Sequence, residues 1–166
     1  MPVARNKTEY MIEIVIPGYR TLRLQHLVMD YNGTLAQDGS LLEGVRSRLD
    51  SLADQLHLHV ITADTFGQAK SNLAALSCEV LILPAENQAQ GKLSYIKSLG
   101  QGQVAAIGNG RNDQLMLAAA ALGIAVMQEE GAAFETISAA DVVMSDIRLA
   151  LDLLLYPKRL IATLRS

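Results

Sequence analysis

Short apolar runs alternate with amphipathic stretches along the whole chain. Leu27-Val28-Met29 is unbroken by polar residues and closes on Asp30, which predicts a strand buried on both faces. Ahead of it, Met11 to Ile16 alternates around Glu13, Pro17-Gly18 turns the chain, and Thr21 to Leu24 returns. A small amino-terminal β-hairpin is expected there. Beyond Gly39, residues Leu42, Val45, Leu49, Leu52 and Leu56 recur at helical spacing. Strands at His57 to Ile61, Glu79 to Leu83 and Gln103 to Ile107 are separated by helices around Gln68 to Leu76 and Gly91 to Leu99. A helix carrying Leu115, Met116 and an alanine run follows. After it come a strand at Ile124 to Met127, a short helix at Ala132 to Ser138 and a strand at Asp141 to Met144. Ser145-Asp146 can cap a helix over Ile147 to Leu155, and Pro157 opens a last one. Strand and helix alternate throughout, the pattern of an α/β fold with a doubly wound parallel sheet, here expected as a single domain over residues 1–166.

Composition narrows the function classes. The chain has 166 residues, 50% hydrophobic and 19% charged, which is globular and large enough for a real core. A net charge of −3 and the absence of Trp leave no footprint for nucleic acid. Cys78 stands alone, so no internal disulfide is possible and a reducing compartment fits. No apolar leader is visible at the start, and the longest apolar stretch, Leu115 to Met127, is too short for a membrane helix. A soluble cytoplasmic protein with no membrane partner is expected. Leu153, Leu154, Leu155, Leu160, Ile161 and Leu164 exceed what one helix face buries, so a homo-oligomer is expected as well.

Candidate chemistry falls at strand ends and helix starts. Asp30 ends its strand, with Gly33 able to turn the backbone sharply and Thr34 able to offer a hydroxyl. Thr62 ends the next strand, Lys92 begins a helix, and Asp113 closes Gly108-Asn109-Gly110-Arg111-Asn112-Asp113 after the fourth. The carboxyl ends of parallel strands share one edge of the sheet, so these groups can converge. An acid nucleophile, a hydroxyl, an ammonium and a second acid are what metal-assisted phosphoryl transfer needs.

These four segments resemble the motifs of the haloacid dehalogenase (HAD) superfamily and, within it, the phosphorylation domain of P-type ATPases. Asp30 to Thr34 matches D-x-x-G-T, and Ile61-Thr62-Ala63-Asp64 is close to the T-G-D segment. Gln90-Gly91-Lys92 matches the lysine motif, and Gly108 to Asp113 looks like G-D-G-x-N-D. The chain also looks like a small group of soluble P-type-ATPase-like phosphatases. The resemblance implies a Mg²⁺-dependent phosphohydrolase with Asp30 and Lys92 as catalytic residues. It implies phosphate binding by Gly33, Thr34, Thr62, Lys92 and Asn112, and metal binding by Asp30, Asn32 (through its backbone carbonyl) and Asp113. The substrate is then a phosphorylated small molecule or a phosphoprotein.

Two positions depart from the pattern. Asn32 stands where typical HAD phosphatases have the Asp that protonates the leaving group, and an amide cannot do that work. Asn109 stands where the fourth motif has its first Asp. Slow turnover is therefore expected, and a non-catalytic or regulatory phosphate-binding protein is the alternative. Helices and strands fill the intervals from Asp30 to Thr62 and from Thr62 to Lys92, leaving no room for a cap domain; Leu35 to Leu42 reads as a short flap.

Other tempting residues read more plainly. His57 and His59 share one face of a strand and suggest a surface or edge-strand role rather than a metal pair. Asp64 reads equally as a turn cap or as an orienter of Lys92 or Thr62. Glu129-Glu130 reads as a solvated loop edge.

Overall fold

A computed structural model describes residues 10–63 and 67–166; Asp64 lies outside them. A hairpin of β1 (Ile12–Val15) and β2 (Thr21–Leu24) leads into the central strand β3 (His26–Asp30). A smaller hairpin, β4 (Ala36–Gln37) and β5 (Ser40–Leu41), forms the expected flap. Then follow α1 (Val45–Leu52), β6 (His57–Thr62), α2 (Gln68–Leu73), β7 (Cys78–Ile82), α3 (Gln88–Leu99) and β8 (Val104–Gly108). The chain ends with α4 (Gln114–Ala119), β9 (Leu122–Val126), α5 (Phe134–Ala139), β10 (Val142–Met144), α6 (Ile147–Leu155) and α7 (Pro157–Leu164).

Six strands form one sheet in the order β10-β9-β8-β3-β6-β7, and all five pairings are parallel. The chain starts in the middle and winds outward in both directions, which is the doubly wound α/β architecture that strand–helix alternation predicts. The side-chain period of two divides the core. Leu27 and Met29 of β3 point with Leu58, Val60 and Ile107 into a core shared with α1, α6 and the β1–β2 hairpin. Val28 points the other way, with Ile61 and Ala106, against Ile96 of α3 and Met116 of α4.

Helix α1 is shorter than the Leu42 to Leu56 repeat suggests. Gly44 sets the start of the helix in the left-handed region at φ 83°, so Leu42 packs from the loop before it and Leu56 from the turn after it. The apolar residues near the carboxyl end are absorbed by the chain itself. Leu153, Leu154 and Leu160 are buried, and Leu155, Ile161 and Leu164 pack partly covered against the same core. Helix α6 lies between the sheet, α1 and α7, so its covered surface exceeds one face, and these residues give no reason for a second copy. Among the described residues no helix is long and apolar enough to cross a membrane.

Candidate active site

Three buried charges meet where β3 and β8 end. Lys92 reaches down from the first turns of α3 and donates from Nζ to Asp30 Oδ1 at 2.9 Å and to Asp113 Oδ1 at 2.7 Å. The lysine and Asp113 are almost wholly buried, while Asp30 keeps a small exposed face. Asp113 Oδ2 accepts from the backbone N–H groups of Asn109 and Gly110, both at 3.0 Å, which folds the loop after β8 around it. Gly108 makes that fold possible, because a Cβ there would lie 2.4 Å from the Asp113 carboxyl carbon. The start of α5 braces the same loop: Thr136 Oγ1 donates to the Gly110 carbonyl at 2.7 Å, and Ala133 N donates to that of Asn109 at 2.9 Å.

Two carboxylates share one ammonium here, and the titration of the groups reflects it. Burial, with Asp113 as a second negative neighbour, pushes the Asp30 carboxyl well above the usual carboxylate range despite Lys92. Burial acts to lower the Lys92 value, but Asp30 and Asp113 together outweigh it and hold the ammonium more firmly protonated than usual. Asp30 Oδ2, the oxygen Lys92 does not hold, has Thr34 Oγ1 as its neighbour at 3.5 Å.

Above this cluster is a hollow of about 340 Å³ lined by Asp30, Asn32, Thr62, Asn109, Asn112 and Glu130, among others. Thr62 therefore arrives where its motif predicts. Asn112 lines the hollow too, with its amide donated to Gln88 Oε1 at 2.7 Å. Thr34, Lys92 and Asp113 lie behind the wall. The Thr34 hydroxyl donates to Asn109 Oδ1 at 3.2 Å. Gly33 faces a neighbouring groove of about 510 Å³, running past the flap toward Arg148. Its φ of 77° is the left-handed conformation that glycine allows.

Glu130 is on a solvated turn, as expected, but has a neighbour that the sequence does not reveal. Its carboxylate leans over Gly33: a Cβ on that glycine would lie 2.1 Å from Glu130 Oε2 and 2.7 Å from Asn109 Nδ2. The turn that carries it is tied down on both sides. Gln128 Nε2 donates to the carbonyls of Gly33 and Thr34, and Asn109 Nδ2 donates to that of Gly131 at 3.1 Å. No local sequence signal marks this, because the approach is made by a turn far along the chain.

A divalent cation can be tested against these donors. They are all oxygens, which suits a hard ion such as Mg²⁺, and the two carboxylates exceed the one ammonium between them. Among the described residues, however, no group of three or more His, Cys, Asp or Glu side chains is arranged to hold a metal. The fit is thus that of a sparse Mg²⁺ site, completed by backbone carbonyl, water and phosphate oxygens.

The histidines correct an expectation. Strand β6 lies between β3 and β7, so His57 and His59 are not on an edge. His59 is buried at the opposite end of the sheet from Asp30. Its Nε2 meets His26 Nδ1 at 3.0 Å and its Nδ1 meets the Tyr95 hydroxyl at 2.8 Å, and Tyr95 also donates to Glu79 at 3.4 Å. Burial, then the neighbouring His26, lowers the pKa of His59 to about 4, so its imidazole is neutral.

No family model matches the chain. Two uncharacterized proteins of Methanocaldococcus jannaschii are related to it. One is 54% identical over 64 residues, covering 39% of this chain and 69% of the relative; the other is 41% identical over 39 residues, covering 24% and 89%. Among solved structures, 3-deoxy-D-manno-octulosonate 8-phosphate phosphatase from Moraxella catarrhalis, in complex with magnesium, phosphate and KDO, superposes with a TM-score of 0.61. It is 18% identical, over 86% of this chain and 94% of that one. The cobalt-bound phosphatase of the same name from Haemophilus influenzae gives 0.63 at 19% identity, over 86% and 94%. A Legionella pneumophila protein assigned to the HAD superfamily gives 0.63 at 18%, over 84% and 87%. The fold is that of HAD-superfamily phosphatases, and the chain belongs to the same family as the two Methanocaldococcus jannaschii proteins.

Proposed function

We propose that the chain is a phosphohydrolase that works through an aspartyl-phosphate on Asp30 with Mg²⁺ as cofactor. The observation that carries this reading is the buried Asp30–Lys92–Asp113 cluster, with Asp30 opening to the hollow beside Thr62 and Asn112. The oxygen donor set and the magnesium and phosphate bound in the Moraxella phosphatase support it. The motif variants at Asn32 and Asn109 support the narrower likeness to soluble P-type-ATPase-like phosphatases.

The chemistry follows from the groups. Asp30 Oδ2 is the free oxygen of the nucleophile and attacks phosphorus, while Oδ1 stays pinned to Lys92. The Lys92 ammonium draws Asp30 toward its ionised, nucleophilic form and offsets charge as the phosphoryl group arrives. Thr62 and Asn112 stand where the phosphoryl oxygens need donors. Asp113 holds Lys92 and the loop in place and does not face the hollow. A bound Mg²⁺ would supply Lewis-acid stabilisation of the phosphoryl charge, with Asp30 and the Asn32 carbonyl as the residues that would hold it; the third ligand that the motif implies, Asp113, has both oxygens engaged by Lys92 and the loop amides. Substrates on this reading are phosphorylated small molecules or phosphoproteins, because among the described residues no cap closes over the hollow.

A second reading has one observation of its own. Asn32 cannot pass a proton to a leaving group or take one from water, which suits a phosphate acceptor with a long-lived acyl phosphate. One experiment separates the two: a screen of phosphate monoesters and acyl phosphates with Mg²⁺, beside Asp30→Asn, with intact-mass detection of the phosphoprotein. Turnover that disappears in Asp30→Asn supports the hydrolase. Stoichiometric phosphorylation without turnover supports the acceptor. Turnover that survives the substitution or thorough chelation sinks both.

A further inference from the structure

Hydrolysis of a phosphate monoester through Asp30 moves a proton twice. When Asp30 attacks, the bond from phosphorus to the leaving oxygen breaks, and that oxygen takes the electron pair and needs a proton. When water then attacks the aspartyl-phosphate, it must lose a proton as the Asp30–phosphorus bond breaks and its electrons return to the carboxylate. Asn32 can do neither. Among the described residues lining the hollow, Asp30 and Glu130 carry the titratable side chains, and Asp30 is the nucleophile.

The position of Glu130 suits the missing task. It is the one residue shared by the linings of the phosphoryl hollow and the neighbouring groove. With phosphate over Asp30, the groove past Gly33, Ala36 and Met127 is the space for the organic part of a substrate, so the oxygen joining the two parts falls at their junction. The carboxylate reaches over Gly33, which has no side chain to block it, and next to Asn109. Its turn is fixed to the floor of the site by Gln128 on one side and by the Gly131 carbonyl on the other, so the group is held in place at low entropic cost.

Resting on the phosphohydrolase reading, we infer that Glu130 is the general acid and base of this site. In the first step its carboxyl gives a proton to the leaving oxygen in the groove. In the second its carboxylate takes a proton from the attacking water and is restored to the acid form. The base thus comes from the β9–α5 turn rather than from the loop that follows the nucleophile.

The test compares Glu130→Gln with the unaltered protein on two esters with Mg²⁺. One is 4-nitrophenyl phosphate, whose leaving group needs little help; the other is glycerol phosphate, whose alkoxide needs the proton. Expected for Glu130→Gln are a fall in glycerol phosphate turnover of about 10²–10⁴-fold and a retained burst of one nitrophenolate per protein. Phosphorylated Asp30 should accumulate, visible by intact mass. Adding Asn32→Asp to Glu130→Gln should restore much of the alkyl turnover, which a merely structural role for Glu130 would not allow. Glycerol phosphate turnover within about twofold of the unaltered protein overturns the inference. An equal loss on both esters together with a raised Mg²⁺ requirement also overturns it, by moving Glu130 to the cation. Activity surviving in Asp30→Asn overturns the underlying phosphohydrolase reading instead, whatever Glu130 does.

Discussion

At its first residue β3 hands His26 to a chain of hydrogen bonds; at its last it hands Asp30 to a lysine and a second carboxylate. Helix α3 serves both ends, with Tyr95 at one and Lys92, three residues earlier, at the other. Each is built on a buried side chain, His59 at one end and Lys92 at the other, and among the described residues no buried side-chain nitrogen or oxygen lacks a partner. Burial of polar groups therefore does not distinguish them. What does is charge and access. The histidine end keeps its imidazoles neutral and runs out to the exposed Glu79, whereas the aspartate end crowds two carboxylates around one buried ammonium and opens into a hollow. The first arrangement stabilises a fold; the second is paid for in stability and has a use for the remainder.

Lys92→Met breaks the comparison most severely. It leaves Asp30 and Asp113 facing each other in the core, and a loss of about 3–5 kcal/mol is expected in urea unfolding. Asp113→Asn combined with Lys92→Met should recover part of that loss, since one buried carboxylate is then removed. Equal stability of Lys92→Met and the unaltered protein would mean that the ammonium is not neutralising the pair.

Acid separates the two ends by sign. His59 is depressed to about 4, below its ordinary value, so the unfolded chain binds more protons between about pH 6.5 and 4. Its contribution is complete above pH 6.5 and is lost as pH falls, by up to ~3 kcal/mol. Asp30 is raised, so its effect runs the other way: stability is fully present below the ordinary carboxylate value and falls as pH rises toward neutrality. Unfolding free energies measured from pH 7 to pH 4.5 should therefore lose their acid-side decline in His59→Gln. Mg²⁺ should lift the neutral-pH values by favouring ionised Asp30. A profile unchanged by His59→Gln contradicts the assignment.

The mildest probe is Tyr95→Phe. It removes the hydroxyl that pairs with His59 Nδ1 and should cost about 1 kcal/mol in thermal unfolding, with phosphoryl transfer unaltered. A drop in turnover beyond the loss of folded protein would show that the two ends are coupled through α3.

Much of this was legible in the chain. An acid ending a buried strand is common by itself; Asp30 and Thr62 could be placed because four motifs fall in order at strand ends and helix starts of an alternating α/β pattern. Lys92 needed its motif, since a lysine early in a helix is otherwise a solvated residue. The shared face of His57 and His59 follows from strand period, but their interior position does not. It depends on β7 adding outside β6, a pairing that no local pattern encodes. The exposure of Glu130 is legible, but its approach to the site is not, for a similar reason. Its neighbourhood is made by Gly33 and Asn109, which are distant in sequence, and its turn looks like any exposed acidic loop. The six apolar residues near the end were read correctly as too many for one face; the reading missed that α1 and α7 cover the others.

The flap offers a consequence of another kind. Tyr31 donates to the Gly39 carbonyl at 3.0 Å, and Asn72 of α2 donates to both the Tyr31 hydroxyl and that carbonyl, at 2.8 and 2.9 Å. The tip of the β4–β5 hairpin is thus moored to the body rather than hung from two free arms. A moored rim makes no commitment step: a visiting molecule is neither trapped on arrival nor delayed on leaving. Selection then has to be made by contacts formed at the first encounter, because no closing motion gives a second inspection. On the phosphohydrolase reading, inorganic phosphate released by one turnover would compete with the next substrate at once.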